Sequence, residues 1–166
     1  VHAVSTPVER PPRLQRVPRG RSIVRYAWAS PNTCLGLCGV ALALGSGGAA
    51  RRTDGILEAW GGVLTPLLAR WPLVPGGVAA VALGHVVLGV DRATLDRLRA
   101  HELVHVRQAE RYGPVFLPLY LLASLVAHAR GGDPYYDNVF EREAYAEESA
   151  VQFGPRHGGG SDARRP

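Results

Sequence analysis

From Tyr26 to Ala50 the chain carries no charged residue, and that gap limits what it can fold into more than any other feature. A segment so apolar must be covered by protein or laid against lipid, because water around it is unfavourable. Its densest part, Cys34 to Leu44, falls short of the about 20 apolar residues that a bilayer crossing needs. The expectation is therefore a helix buried in the core or lying on a membrane surface. The competing reading is a spanning or signal-anchor helix, with Arg21 and Arg25 before the run and Arg51 and Arg52 after it. A cleaved signal peptide fits poorly because so many residues precede the apolar run. Cys34 and Cys38, the only cysteines, lie four apart inside it and are expected to be small buried residues rather than a disulfide or a metal pair. A second charge-free stretch, Tyr112 to Ala129 with Pro114 and Pro118, poses the same choice between core and membrane.

The remaining composition narrows the organisation. Residues 1–25 hold six Arg and four Pro with few apolar residues, the character of a disordered basic tail. Residues 154–166 repeat that character. A single domain is expected over 26–153, and with 46% hydrophobic residues in the chain it can bury a core. The formal charge of +5 comes from 19 basic residues that are all Arg, which points to codon bias. No cluster interleaved with aromatics and no nucleic-acid signature accompanies it, so no nucleic-acid partner is expected. The location expected is the cytoplasm or a membrane surface.

Residues 50–90 are rich in Val, Leu and Gly pairs. They predict two or three strands with one short helix, "VLTPLLARW", between them. Asp91 can cap a helix starting at Arg92, since its carboxylate accepts from the free amides of the first turn. Gly113 and Pro114 should stop that helix after Tyr112. Further helices are predicted over 115–129 and 139–152.

The helix from Arg92 to Tyr112 carries "HELVH" at 101–105 in its middle. With 3.6 residues per turn, His101 and His105 project from one face and can reach a single ion. Glu102 then stands beside a water activated by that ion and can take its proton, which is the chemistry of metal-assisted hydrolysis. With six His and eight Glu in the chain, a chance HExxH has a frequency of about one in a hundred. The alternative is that these are solvated or internally satisfied helix residues, and His2, His85, His128 and His157, which lack such partners, are read as having no metal role. Gln108 and Tyr112, seven residues beyond His101 and His105, return to the same face as neighbours or supporting donors.

A catalytic zinc takes three protein ligands, and the third is sought in "DPYYDNVFEREAYAEESAVQF". Glu141, Glu143, Glu147 and Glu148 are its acidic residues there. Asn138 is the expected N-cap, and Glu141 three residues on would complete a capping box. The rival reading makes Glu141 the ligand, with Glu143 as the alternative.

"HELVH" followed by "EREAY" at 141–145 resembles the gluzincin-type metallopeptidases. In them HExxH on one helix is completed by a Glu on a later helix. The second motif is similar to the ExEAD of the prenyl-protein and heat-shock membrane metallopeptidases, and the segment from "LGHVVLGVD" to "YYDNVFEREAY" also resembles short bacterial proteins of unassigned function. The resemblance implies that Glu141 is the third zinc ligand. Tyr145 stands where that family has the Asp that orients a histidine, and a phenol in that place could hydrogen-bond one instead. It also implies that "GHVVLGV" forms the sheet edge to which an extended substrate adds. The expected fold is thus α+β and zincin-like, a small sheet packed on a zinc-binding helix with two to three further helices. The expected function is that of a zinc metallopeptidase acting on a peptide or protein, with membrane association through the apolar helices. The competing expectation is a membrane-associated scaffold or binding protein that keeps the fold without turnover.

Overall fold

A computed structural model describes residues 23–71, 74 and 76–153. The terminal segments read as tails lie outside the described residues, except that Ile23, Val24 and Arg25 already belong to the first helix.

Tight turns govern the sheet. Asp54 and Gly55 both have positive φ, 50° and 82°, the conformation of a two-residue hairpin turn that matches strand twist. They join β1 (Ala49–Thr53) to β2 (Ile56–Trp60) in antiparallel register. Gly84, with φ 63°, and His85 make the second such turn. It splits the Val- and Ala-rich run into β3 (Ala80–Leu83) and β4 (Val86–Gly89), also antiparallel. The result is four strands rather than two or three, because the Gly84–His85 turn divides what reads as one apolar segment and β1, with Arg51 and Arg52 among its five residues, lacks an apolar pattern.

Between the hairpins the chain passes through α2 (Leu64–Ala69). β4 returns parallel to β2, giving the order β1-β2-β4-β3. β4, the strand of "GHVVLGV", is therefore interior, with both edges paired, and cannot be the sheet edge expected of it. That edge is β3.

Helices cover both faces. On one, Ala59, Val86 and Leu88 meet Val40 and Ala43 of α1 (Ile23–Gly45) and Leu64 and Leu68 of α2. On the other, Ile56, Ala82 and Val87 meet Leu95, Leu103 and Val106 of α3 (Arg92–Tyr112). A 3₁₀ turn at Gly113–Val115 leads into α4 (Phe116–Ala129), and α5 (Val139–Phe153) closes the described chain. Ala109, Phe116 and Phe140 join the last three helices in a cluster of their own.

The apolar run at the start is a single helix, α1, laid along the sheet on small residues. A Cβ at Gly36 would stand 2.6 Å from Val86 Cβ, and one at Gly39 would stand 2.3 Å from Leu88 Cδ1. Cys34 and Cys38, expected inside, are exposed, because the sheet takes the glycine side of the helix and they project from the other.

α3 is fixed to this frame at both ends. Near its start, buried Glu58 of β2 accepts from Arg99 Nε at 3.0 Å and from Arg51 Nε at 2.7 Å. At its end, Glu110 Oε1 lies 3.0 Å from His85 Nε2, and Asn32 Nδ2 donates to Gly113 O at 2.9 Å. Tyr26 stacks on the His85 ring at 4.1 Å, and His85 is buried.

Gly36→Val should cost about 2–3 kcal/mol, since branched carbons driven into Val86 must displace α1 from the sheet. Urea unfolding checks this through a lowered midpoint at constant slope, and an unchanged midpoint would mean that α1 is not docked there.

Candidate metal centre

The capped start of α3 sets the phase of the helix. Asp91 Oδ1 accepts from Thr94 N at 2.7 Å, and the helix runs unbroken to Tyr112, so His101 and His105 share a face one turn apart. That face is turned away from the sheet, where Leu103 and Val106 of the same turns pack, and it meets α5.

The start of α5 is equally fixed. Asn138 is fully buried; its Oδ1 accepts from Phe140 N at 2.9 Å and its Nδ2 donates to Tyr120 O at 3.0 Å and Ser124 Oγ at 2.8 Å. The asparagine caps α5 and ties it to α4. Glu141 does not close a capping box, because Asn138 N donates to Tyr135 O and the Glu141 carboxylate is turned toward α3.

There it meets both histidines. Glu141 Oε2 lies 3.1 Å from His101 Nε2, Glu141 Oε1 lies 3.2 Å from His105 Nε2, and the two Nε2 atoms are 3.1 Å apart. All three residues are buried. Two ligand atoms bound tetrahedrally to one zinc, each at roughly 2.1 Å, are about 3.4 Å from each other. The observed triangle fits such an ion with small adjustments, and two imidazoles with one carboxylate are a donor set that zinc takes.

Glu102 supplies a second fit. It is 4% exposed, and its Oε2 has no hydrogen-bond partner among the described residues. A buried carboxylate oxygen left unpaired costs free energy, and a solvent molecule at the centre would satisfy it. Burial pushes the Glu102 carboxyl above its ordinary range, and the neighbouring Glu141 adds to this, while His105 and His101 oppose it.

The surrounding groups orient the ligands. Gln108 Nε2 donates to Phe140 O at 3.1 Å and to Glu143 Oε2 at 2.9 Å, which fixes the orientation of its amide. Its Oε1 must therefore accept, and it does so from His105 Nδ1 at 2.8 Å. The proton on Nδ1 leaves Nε2 as the atom facing the centre. For His101 the corresponding contact is Glu148 Oε2, 3.5 Å from Nδ1. Tyr120 donates from its hydroxyl to Glu141 Oε1 at 2.7 Å.

Several expected residues are thus brought together: His101, His105, Glu141, Glu102 and Gln108. Glu143, the alternative ligand, holds Gln108 instead. Tyr145 packs its ring 4.7 Å from the His101 ring. Tyr112 is not at the centre but packs on Phe140 at 5.6 Å, because it lies two helical turns, about 10 Å, beyond His105 along α3. Glu148 enters the sequence reading only as one of the acidic residues of its helix, and Tyr120 not at all. Glu148, seven residues after Glu141, falls on the same helix face and could have been found. Tyr120 is on another helix and left no such signal.

Without an ion the groups partner one another. Burial disfavours a charged His105 ring, but the Glu141 hydrogen bond and the charges of Glu102 and Glu141 outweigh it and raise its pKa to about 9. Burial also opposes the charge on Glu141, yet contacts from His101, His105 and Tyr120 hold it well below the usual carboxylate range. Comparison with family models, with curated proteins and with solved structures finds no match.

Two outcomes are expected. A ring with a pKa of about 9 is protonated at neutral pH, and an ion takes Nε2 only after that proton leaves. Zinc uptake by the metal-free protein should therefore release about one proton, and apparent affinity should rise with pH and level off above the raised pKa. Calorimetric titrations in buffers of different ionisation enthalpy check this, and the absence of proton release would mean that the His105 ring is not protonated before the ion binds. Gln108→Ala should weaken zinc binding by about 10–100-fold, the usual effect of losing a group that orients a ligating histidine; Gln108→Glu, which keeps the acceptor, should recover part of the loss in a competitive chelator titration.

Proposed function

We propose that this chain is a zinc-dependent amide hydrolase, a minimal metallopeptidase of the gluzincin kind. The observation that carries the reading is the unpartnered, buried Glu102 Oε2 beside a converging His101, His105 and Glu141. A structural metal site is closed by protein ligands and has no use for a buried carboxylate without a partner.

Zinc, when held by the three ligands, would polarise a scissile carbonyl and bring the acidity of a water close to neutrality. Glu102 would take the proton from that water. Its burial, which raises its proton affinity, suits it to hold the proton and then release it to the departing amine. Gln108 and Glu148 would keep the two imidazole rings aligned. Tyr120, donating to Glu141 Oε1, would hold the carboxylate ligand in place.

The substrate class follows from β3. Ala79 O accepts from Val90 N, and in an antiparallel pair the inward and outward backbone groups alternate. Ala80 and Ala82 then turn theirs to the free edge, while their side chains pack toward α3. An extended peptide adding there would gain backbone hydrogen bonds irrespective of its sequence, so the reading favours peptides or unfolded protein over small amides.

The competing reading, a scaffold without turnover, drew on Tyr145 replacing the family's orienting Asp. Glu148, near His101 Nδ1 at 3.5 Å, offers a carboxylate for that role and weakens the case for lost activity.

Metal analysis by mass spectrometry on untagged protein should give about one zinc per chain, absent from His105→Ala and Glu141→Ala. Glu102→Gln should retain the zinc and lose peptide hydrolysis by about 10²–10⁴-fold, the usual contribution of a general base. Full activity in that variant would sink the mechanism, and a wild type that takes up no zinc would remove the reading altogether.

A further inference from the structure

The outer side of α1 is unlike the surface of a protein surrounded by water. Roughly a third of the helix circumference, Ala29, Gly36, Gly39, Val40 and Ala43 among it, is buried. The rest faces outward without a charge from Tyr26 to the end of the helix. Leu35 and Leu42 form one flank of that outward arc at 54% exposure each, and Leu37 and Leu44 the other at 45% and 55%. Ala27, Cys34, Cys38 and Ala41 make up its crest, all exposed. α2 continues the layer, since it shares the core of the same sheet face and exposes Val63 and Leu67.

Charge around this layer is mostly of one sign. Between Arg10 and Val90 the only acidic residues are Asp54 and Glu58, and Glu58 is buried under Arg51 and Arg99 on the α3 side. Ten of the 14 acidic residues lie between Asp91 and Glu148, in and around the helices of the metal centre. Arg25 opens α1, and Arg70 follows α2; both are exposed. Arg52 is exposed as well and, alternating with Arg51 along β1, points to the α1 side of the sheet. An apolar plateau edged by arginines, with Asp54 in the turn beside Tyr26 as the one exposed carboxylate at its margin, complements an anionic lipid surface.

From these observations we infer that the α1–α2 layer is a membrane-docking face, lying in the interface of an anionic bilayer with the axis of α1 in the membrane plane. Val24–Gly45 is long and apolar enough to cross a membrane. Its packing favours the in-plane position. Gly36 and Gly39 are seated on Val86 and Leu88 of β4 and Ala43 packs with Ala59 of β2; β2 carries Glu58 with Arg51 of β1 bound to it, and a crossing helix would draw those charges into hydrocarbon. Lying flat, the helix offers about 30 Å of apolar length from Tyr26 to Gly45 at 1.5 Å per residue, and its leucines enter the acyl boundary while the arginines meet phosphates and carboxylates. The metal helix is on the other face of the sheet, so docking would leave α3 unencumbered. This inference does not depend on the hydrolase reading.

The test is co-sedimentation of the full chain with vesicles of phosphatidylcholine alone and of phosphatidylcholine with phosphatidylserine, at low and high salt. Expected is binding to the serine-containing vesicles that falls with salt and is released by an alkaline carbonate wash. Leu35→Glu/Leu42→Glu should reduce the bound fraction by more than about tenfold, as burial of two leucines requires, with an unchanged circular dichroism spectrum. Should that pair fail to fold, Arg25→Glu/Arg52→Glu/Arg70→Glu, which touches no core residue, should likewise lose the lipid dependence. Wild type that stays in the supernatant with both vesicles overturns the inference. So does protein that resists carbonate, which would make α1 a spanning helix. A dimer that Leu35→Glu/Leu42→Glu converts to monomer, without vesicle binding by the wild type, would give the face to a second copy of the chain instead.

Discussion

A carboxylate with 2% exposure cannot sit in a protein interior without partners, because the cost of stripping water from a charge far exceeds what packing returns. Glu141 is that carboxylate, and much of the arrangement around it serves to supply its partners. α3 presents two imidazoles one turn apart, α4 sends in the Tyr120 hydroxyl, and Asn138 anchors the first turn of α5 so that Glu141 arrives among them. Removing any one of these leaves the others with buried polar groups unsatisfied. The three helices share only a small apolar cluster around Phe116 and Phe140, so the polar centre contributes to their mutual orientation as well as lying between them.

A metal centre also needs the helix that carries it to be held from behind. Glu58 does this at one end of α3, gripping Arg99 two residues before His101, while the His85–Glu110 pair and the Asn32 contact to Gly113 hold the other end. These contacts touch neither histidine ligand. They fix the position of α3 over the sheet, and a fixed helix fixes the separation of ligands at i and i+4. The apolar packing of Leu95, Leu103 and Val106 alone would allow the helix to slide along the strands; the terminal polar pairs, being directional, do not.

This division explains which parts were legible in the sequence. HELVH, its helix and the caps at Asp91 and Gly113 could be read because each follows from local rules acting over a few residues. Glu141 could be proposed for the same reason, with the resemblance selecting it over Glu143. Gln108 stood out only as a face-sharer; its role emerged once Phe140 O and Glu143 fixed its amide. Tyr120 depends on how α4 crosses α3, which no local pattern encodes. The strand order failed for a related reason. The resemblance implied that "GHVVLGV", the strand before the metal helix, lies at the sheet edge, whereas the parallel pairing of β4 with β2 is a long-range event that places it inside. The cysteines failed because a run of apolar residues with glycines does not say which side of the helix the sheet will take.

That last ambiguity has a physical root that links the two ends of the chain. A helix whose packed face is built from Gly and Ala approaches its sheet closely, and the closer it approaches, the less room remains there for large side chains. Its leucines are then displaced to the flanks and outward. In a surface helix of ordinary amphipathic pattern the large residues would face the core and the charges would face water; in α1 small residues face the core and leucines face out. The arrangement is stable in water only at the cost of exposed apolar area, and the free energy left unrealised on that side is what an apolar boundary can recover. Charge segregation points the same way: carboxylates collect where cations and imidazoles need them, on α3 and α5, and are absent from the layer across the sheet. Most carboxylates thus lie on the α3 side of this small sheet and the leucine-lined arc of α1 on the other, while Asn32 of α1 reaches across to hold the end of the metal helix.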